Sequence, residues 1–244
     1  MINNRLYIDL KDLVDVQGFD SLHPEICRGI STAQHLAVNG LQTINDGTIR
    51  PHAQGRYVKP LYEIYSIWKN LPEDNPLKIA GKDLDYNQLT TYLKFAFGAY
   101  DLYCIYKILD VDFQEVGVGE MGNHFPNLVK WILNFKTLGI FRSIHSATLM
   151  VLEAGGIPWE HCDPEPARVG EIAEFIHIKT DLDRPFYMVD SPPNNRLYIN
   201  TRVAWWDETD WHGGEPIDRP TYTLRINGRF TTEFKNLMGV VLPD

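Results

Sequence analysis

HSATLMVLEAGG (145–156), EFIHIKTD (174–181), PFYMVD (185–190), RLYINTRVAWWD (196–207) and PTYTLRINGRF (220–230) decide the fold class. Each run is short and rich in Val, Ile, Thr, Tyr, Phe and Trp, the side chains that suit a pleated, half-buried surface. Clusters of Gly, Pro, Asn and Asp divide the runs and supply turn chemistry. Several short strands separated in this way point to a sandwich or a double-sheet jelly roll. The expected fold is therefore mainly β with α: a double-stranded β-helix (jelly roll, cupin-like) over residues 141–244.

Working back from residue 141, the texture turns helical. Residues 1–140 are expected to form a mixed, largely helical N-terminal region packed on the β core. PLYEIYSIWKNL (60–71) places Leu61, Ile64, Tyr65 and Trp68 on one helical face. NQLTTYLKFAFGAYDLYCIYKIL (87–109) is apolar around most of its circumference and is expected to be a buried helix. NHFPNLVKWILNF (123–135) is a third helical candidate, with Pro126 near its first turn. A short alternating start (Leu6, Ile8, Leu10) precedes a Gly-, Asn- and Pro-containing stretch read as loop. No internal repeat and no polar linker divides the two parts, so they are expected to share one core.

The chain has 244 residues, 44% of them apolar and 12% aromatic, enough to bury a core and to exclude intrinsic disorder as its main character. A net charge of -9 argues against broad binding of nucleic-acid backbone, which needs clustered Lys and Arg. The three cysteines, Cys27, Cys104 and Cys162, form no C-x-x-C pair and no disulfide framework, a usage that suits a reducing, cytoplasmic setting. The start, MINNRLYIDLKDLVD, carries acidic residues where a signal peptide would be apolar. No uninterrupted apolar run is long enough for a membrane span.

The chemistry-bearing feature is His161-Cys162-Asp163, followed much later by His212 in WWDETDWHGGEP. Residues i and i+2 of a strand point to one face, so His161 and Asp163 can aim at one point. Intervening strands can return His212 beside them. Two imidazoles and a carboxylate on one face form the facial triad of non-haem Fe(II) sites. The competing reading is a surface His161–Asp163 pair, with His212 bonded to a neighbouring loop.

At these residues the chain resembles the Fe(II)/2-oxoglutarate-dependent oxygenases, with the nearer likeness to the aspartyl/asparaginyl β-hydroxylase and proline hydroxylase branch. VLEAGGIPWEHCD looks like the strand that ends in a glycine turn and His-x-Asp. EFIHIKTDLDRPFYM is similar to the branch's Arg-x-His-x-Pro-Leu-x-Thr-Asn strand, with Glu174 where Arg is usual and Lys179 near the Leu position. RVAWWDETDWHGGEP looks like the segment that delivers the distal ligand. RPTYTLRINGRF looks like the last strand, which carries a basic residue for 2-oxoglutarate. The resemblance covers roughly residues 141–230. It implies Fe(II) held by His161, Asp163 and His212 as catalytic and metal-binding residues. It also implies 2-oxoglutarate as cosubstrate, dioxygen, and hydroxylation of an unactivated C–H bond of an amino acid or peptidyl side chain, with succinate and CO2 as coproducts.

A distal carboxylate of such a cosubstrate calls for a bidentate cation. The family's commonest spacing falls on Tyr222 and fails. Arg225 and Arg219 are the two candidates, and Arg225 is favoured. By alternation Arg225 shares a face with Thr221, Thr223 and Asn227. Thr223 and His177 are further candidates to bind the cosubstrate, His177 being equally readable as a satisfied core residue. Arg142 and Arg202 read as surface or ion-pair residues. Trp159, Trp205, Trp206 and Trp211 bracket the ligand segments, and plain packing is the reading for Trp205 or Trp206, since alternation puts one of them inside. Gly213 and Gly214 allow a tight turn. Asp207, Glu208 and Asp210 read as solvated turn residues. The glycine-rich 117–122 stretch is a loop, because no strand–helix context surrounds it.

The rival functions are a cupin-like metalloenzyme without 2-oxoglutarate, a non-catalytic binding module on the same β scaffold, and an oxygenase acting on nucleic acid.

Overall fold

The structure is a computed structural model that describes residues 6–33, 38–39, 61–84, 88–89, 92–93, 103–110, 120–152, 173–180, 183–190, 195–207, 209–215, 217–240 and 242. Ten strands fall within them: β1 (Ile8–Asp9), β2 (Val38–Asn39), β3 (Tyr103–Asp110), β4 (Phe141–Leu152), β5 (Glu174–Lys179), β6 (Phe186–Asp190), β7 (Asn195–Tyr198), β8 (Val203–Trp205), β9 (His212–Gly214) and β10 (Thr221–Phe230). The helices are α1 (Val16–Ser21), α2 (His23–Thr32), α3 (Leu61–Lys69), α4 (Pro76–Gly81), α5 (Pro126–Thr137) and α6 (Thr232–Met238).

Seven strands form one sheet in the order β1-β8-β5-β10-β4-β3-β2, and three form a second in the order β7-β6-β9. β10 lies between β5 and β4 and is antiparallel to both. Leu224 pairs with Leu149 and Ile178, and Ile226 with Ala147 and Ile176. These residues are buried and form the apolar face of the large sheet.

Helices cover that face. In α5, Pro126 occupies the first turn, where its missing N–H costs nothing, and Leu128, Val129, Ile132 and Phe135 are buried at helical spacing. Phe135 stacks on Phe141 of β4, and Phe141 on Phe230 of β10. Phe19 of α1 meets both Trp131 and Tyr222. Glu25 of α2 is buried and caps α5: its carboxylate accepts the backbone N–H groups of Asn127 at 2.8 Å and Leu128 at 2.9 Å, and the Asn127 side-chain amide at 2.6 Å. These are donors a helix start leaves unsatisfied, and an acid there also suits the helix dipole.

Two expectations are corrected. The described residues form a mixed α/β arrangement of two sheets, and no sheet among them closes into a barrel, against the expected double-stranded β-helix or jelly roll. β1 and β2 stand as open ends of the large sheet. Local alternation specifies that a run is a strand; it does not specify the order in which strands pair, nor that β1, β2 and β3, from the region expected to be mixed and largely helical, join the large sheet. The second correction concerns residues 87–109. The helix does not run through to its end, since Tyr103–Asp110 is a strand that pairs with β4. A continuous apolar run lacks the period that separates buried helix from buried strand, and the sheet supplies the partner that decides it.

Among the described residues, no helix is long and apolar enough to cross a membrane.

Candidate functional site

The other face of the large sheet is polar. Directly paired residues of antiparallel strands share a face, so the registers define three rows across β5, β10 and β4. Lys179, Thr223 and Met150 form one, His177, Arg225 and Thr148 the next, and Phe175, Asn227 and Ser146 the third. Lys179, Thr223, His177 and Phe175 are buried, whereas Arg225, Asn227, Ser146, Thr148 and Met150 are half-buried. The face is thus closed at β5 and open to solvent along β10 and β4.

Residues of the small sheet and of the segment after β8 close the β5 side. Phe186 of β6 stacks on His177 with ring centroids 5.3 Å apart. Trp206 meets His177 edge-on at 5.0 Å and Phe175 at 4.9 Å. His212 of β9 lies 5.5 Å from Trp206 and 5.9 Å from Phe186. Its Nδ1 is 2.9 Å from the Asp210 carbonyl oxygen, which orients the ring. The result is an aromatic wall beside the open polar strip.

Cations gather at the wall. The Arg225 guanidinium lies over the Phe175 ring at 4.0 Å, a cation–π arrangement. Its Nε donates to Asn227 Oδ1 at 2.9 Å, and Asn227 Nδ2 donates to Ser146 Oγ at 3.0 Å. Lys179 and Arg184 are both buried. Lys179 Nζ donates to the Ile199 carbonyl at 2.9 Å and to the Arg184 carbonyl at 3.4 Å. Burial holds the His177 imidazole well below its ordinary pKa of 6.5, and the charges of Arg184, Arg225, Lys179 and His212 depress it further. His177 is neutral there. Burial also raises the Asp210 carboxyl. The buried Trp206 indole N–H has no hydrogen-bond acceptor among the described residues.

Of the residues expected to act, the structure brings His177, His212, Arg225 and Thr223 to this region. His161, Asp163 and Trp159 lie outside the described residues, as does Glu208. Arg219 is half-exposed and pairs with Asp183 at 3.4 Å. Trp205 and Trp206 are both buried, on opposite faces of the sheet, because both faces are covered. Trp205 donates to the Ala173 carbonyl at 3.0 Å, and Trp211 is exposed. Asp207 closes a turn by accepting from the Thr209 amide at 3.0 Å and hydroxyl at 2.7 Å. Arg202 makes a two-pronged pair with Asp20, one arm at 2.7 Å, and Arg142 is exposed. Asn227 and Ser146, which hold Arg225 in place, were missed as site residues. Asn227 shares the alternating face of Arg225, but only the β10–β4 register reveals Ser146.

The expected iron chemistry is corrected. Among the described residues, no group of three or more His, Cys, Asp or Glu side chains could hold a metal ion. Among the described residues, the side chains that the ring contacts and charges place around His177 and His212 are mainly aromatic rings and cations, and cations oppose the binding of another positive charge. The Fe(II)- and 2-oxoglutarate-dependent dioxygenase is therefore withdrawn. Its Fe(II) and 2-oxoglutarate, its dioxygen, and its amino acid or peptide substrate go with it.

No family model matches the chain, and no curated protein matches it. Among solved structures, it is similar to an oxidoreductase of the 2OG-Fe(II) oxygenase family from Burkholderia pseudomallei. That match has 12% identity over 68% of this chain and 76% of that one, with a TM-score of 0.35. It is also similar to a Pseudomonas putida prolyl-4-hydroxylase, with 11% identity over 52% of this chain and 72% of that one and a TM-score of 0.31. Both likenesses are low in identity and in TM-score.

Proposed function

We propose that the chain is a non-catalytic binding module on a β scaffold, taking a small organic anion on the half-open polar strip of the large sheet. The observation that carries this reading is Arg225, held over Phe175 and oriented by Asn227 on a face open to solvent. A guanidinium fixed in this way loses little freedom on binding, and its positive charge on this face draws a carboxylate toward the strip. Thr148, Thr223 and Ser146 lie on the same face and add hydroxyls. The buried charges of Lys179 and Arg184 favour an anion. His177, kept neutral, can donate from one ring nitrogen and accept at the other. The Trp206 N–H is a buried donor whose desolvation a ligand oxygen would offset.

The test is thermal melting and calorimetric titration with a panel of small mono- and dicarboxylates and inorganic phosphate. At 100-fold excess over its Kd, a ligand should stabilise the native protein by about 2.7 kcal/mol. Arg225→Ala should lose that gain while melting close to the wild type without ligand. A full panel that leaves the melting temperature unmoved would refute the reading.

A further inference from the structure

Away from the polar strip, on the helical side of the large sheet, three chemistry-bearing groups meet. Cys27 and His23 sit four residues apart on α2 and so face the same way. The Cys27 Sγ is 3.4 Å from His23 Nε2. The other ring nitrogen, Nδ1, is 2.7 Å from the Tyr222 hydroxyl of β10. The two rings stack, with centroids 5.8 Å apart and planes inclined by 20°. Cys27 is a free, exposed thiol, whereas Tyr222 is buried.

A thiol within reach of a base, with the base oriented by a third group, is the arrangement that activates a nucleophile. Tyr222 serves as the orienting group. Burial raises its pKa far above the ordinary value, with the neighbouring Cys27 and Asp20 adding to the shift, so the hydroxyl keeps its proton. A neutral hydroxyl can accept from Nδ1–H, leaving Nε2 to take the proton of the thiol. Asp20, at the end of α1, places a negative charge near His23. Arg202 fixes that carboxylate through its two-pronged pair.

We propose that Cys27 is a base-assisted thiol that undergoes exchange with small disulfides, His23 acting as its proton acceptor and Tyr222 as the group that positions His23. In the step, the Cys27 sulfur attacks one sulfur of the disulfide as its proton passes to His23 Nε2. A bond forms between Cys27 and that sulfur, and the disulfide's own S–S bond breaks. The departing sulfur leaves as thiolate and takes the proton back from His23. Cys27 is oxidised to a mixed disulfide and the released thiol is the reduced product, so no other oxidant is needed. This proposal does not depend on anion binding at Arg225.

The experiment measures the second-order rate at which oxidised glutathione modifies Cys27 at pH 7, resolved from Cys104 and Cys162 by peptide mass spectrometry. N-acetylcysteine provides the reference thiol. The folded protein should exceed the reference by about a hundredfold or more, the order expected of a positioned base. His23→Gln should bring the rate down to the reference in a protein that still melts cooperatively, since His23 is exposed. Tyr222→Phe should give an intermediate rate. A wild-type rate equal to the reference, or a His23→Gln variant as fast as the wild type, would overturn the proposal.

Discussion

His177 is a lone histidine in an apolar strand, and the sequence left it equally readable as a ligand contact or a core residue. The structure buries it against Phe186 and Trp206, in register with Arg225 across the β5–β10 pair. Its depressed pKa has a consequence for stability. The unfolded chain binds a proton near 6.5 and the folded chain only well below that, so acidification through this window favours the unfolded state. The contribution is fully present above about pH 6.5 and is lost as pH falls beneath it. Melting at pH 8 and pH 5.5 should therefore show a drop that His177→Gln reduces; an equal drop in both proteins would assign the pH sensitivity elsewhere. Glu174 was legible as a departure from the resembling pattern, but not its partner. It is buried, it pairs with buried Lys235 of α6 at 3.0 Å, and it accepts from the Phe230 backbone N–H. The partner comes from more than fifty residues away, and no local pattern announces it.

Elements with their own period or cap were the most legible. The helical spacing and first-turn proline of α5 suffice to place it, whereas α6 was not read in the sequence and ends where a glycine permits. Gly239 adopts φ 69° at the C-cap of α6, and a side chain there would meet nothing within 4 Å. Its constraint is conformational alone, so Gly239→Ala should cost about 1 kcal/mol in urea denaturation. A neutral result would mean that the left-handed cap relaxes at no cost. Gly228 of β10 differs, because a Cβ there would run into the Ser143 carbonyl oxygen and the Phe141 ring where the β10–β4 register shifts. β3 was misread for the opposite reason. Its run of apolar and aromatic residues satisfies either a buried helix or a buried strand, and only β4 alongside it settles the matter.

At the scale of the molecule, the alternation of β10 made the two faces of the large sheet legible: Leu224 and Ile226 toward the helices, Thr223 and Arg225 away from them. The division of the described strands into one sheet of seven and another of three was not legible, because pairing order depends on contacts distant in sequence. Strands from both sides of residue 140 share the large sheet, and α5 packs on β4, so one hydrophobic core joins them. Far-ultraviolet circular dichroism and tryptophan fluorescence should accordingly report coincident urea transitions. Separate midpoints would show that the helical part unfolds independently of the sheet.

The central place of β10 has a kinetic consequence. Its neighbours β4 and β5 precede it by long stretches of chain, and β1 waits for β8 across nearly the whole polypeptide. Ordering such remote partners costs loop-closure entropy before any ladder is complete, which places the molecule among slow folders. During synthesis on a ribosome, β4 and β5 must remain unbridged until residues 221–230 have emerged. The nascent chain then carries two uncovered edges, and chaperone protection matters most in that interval.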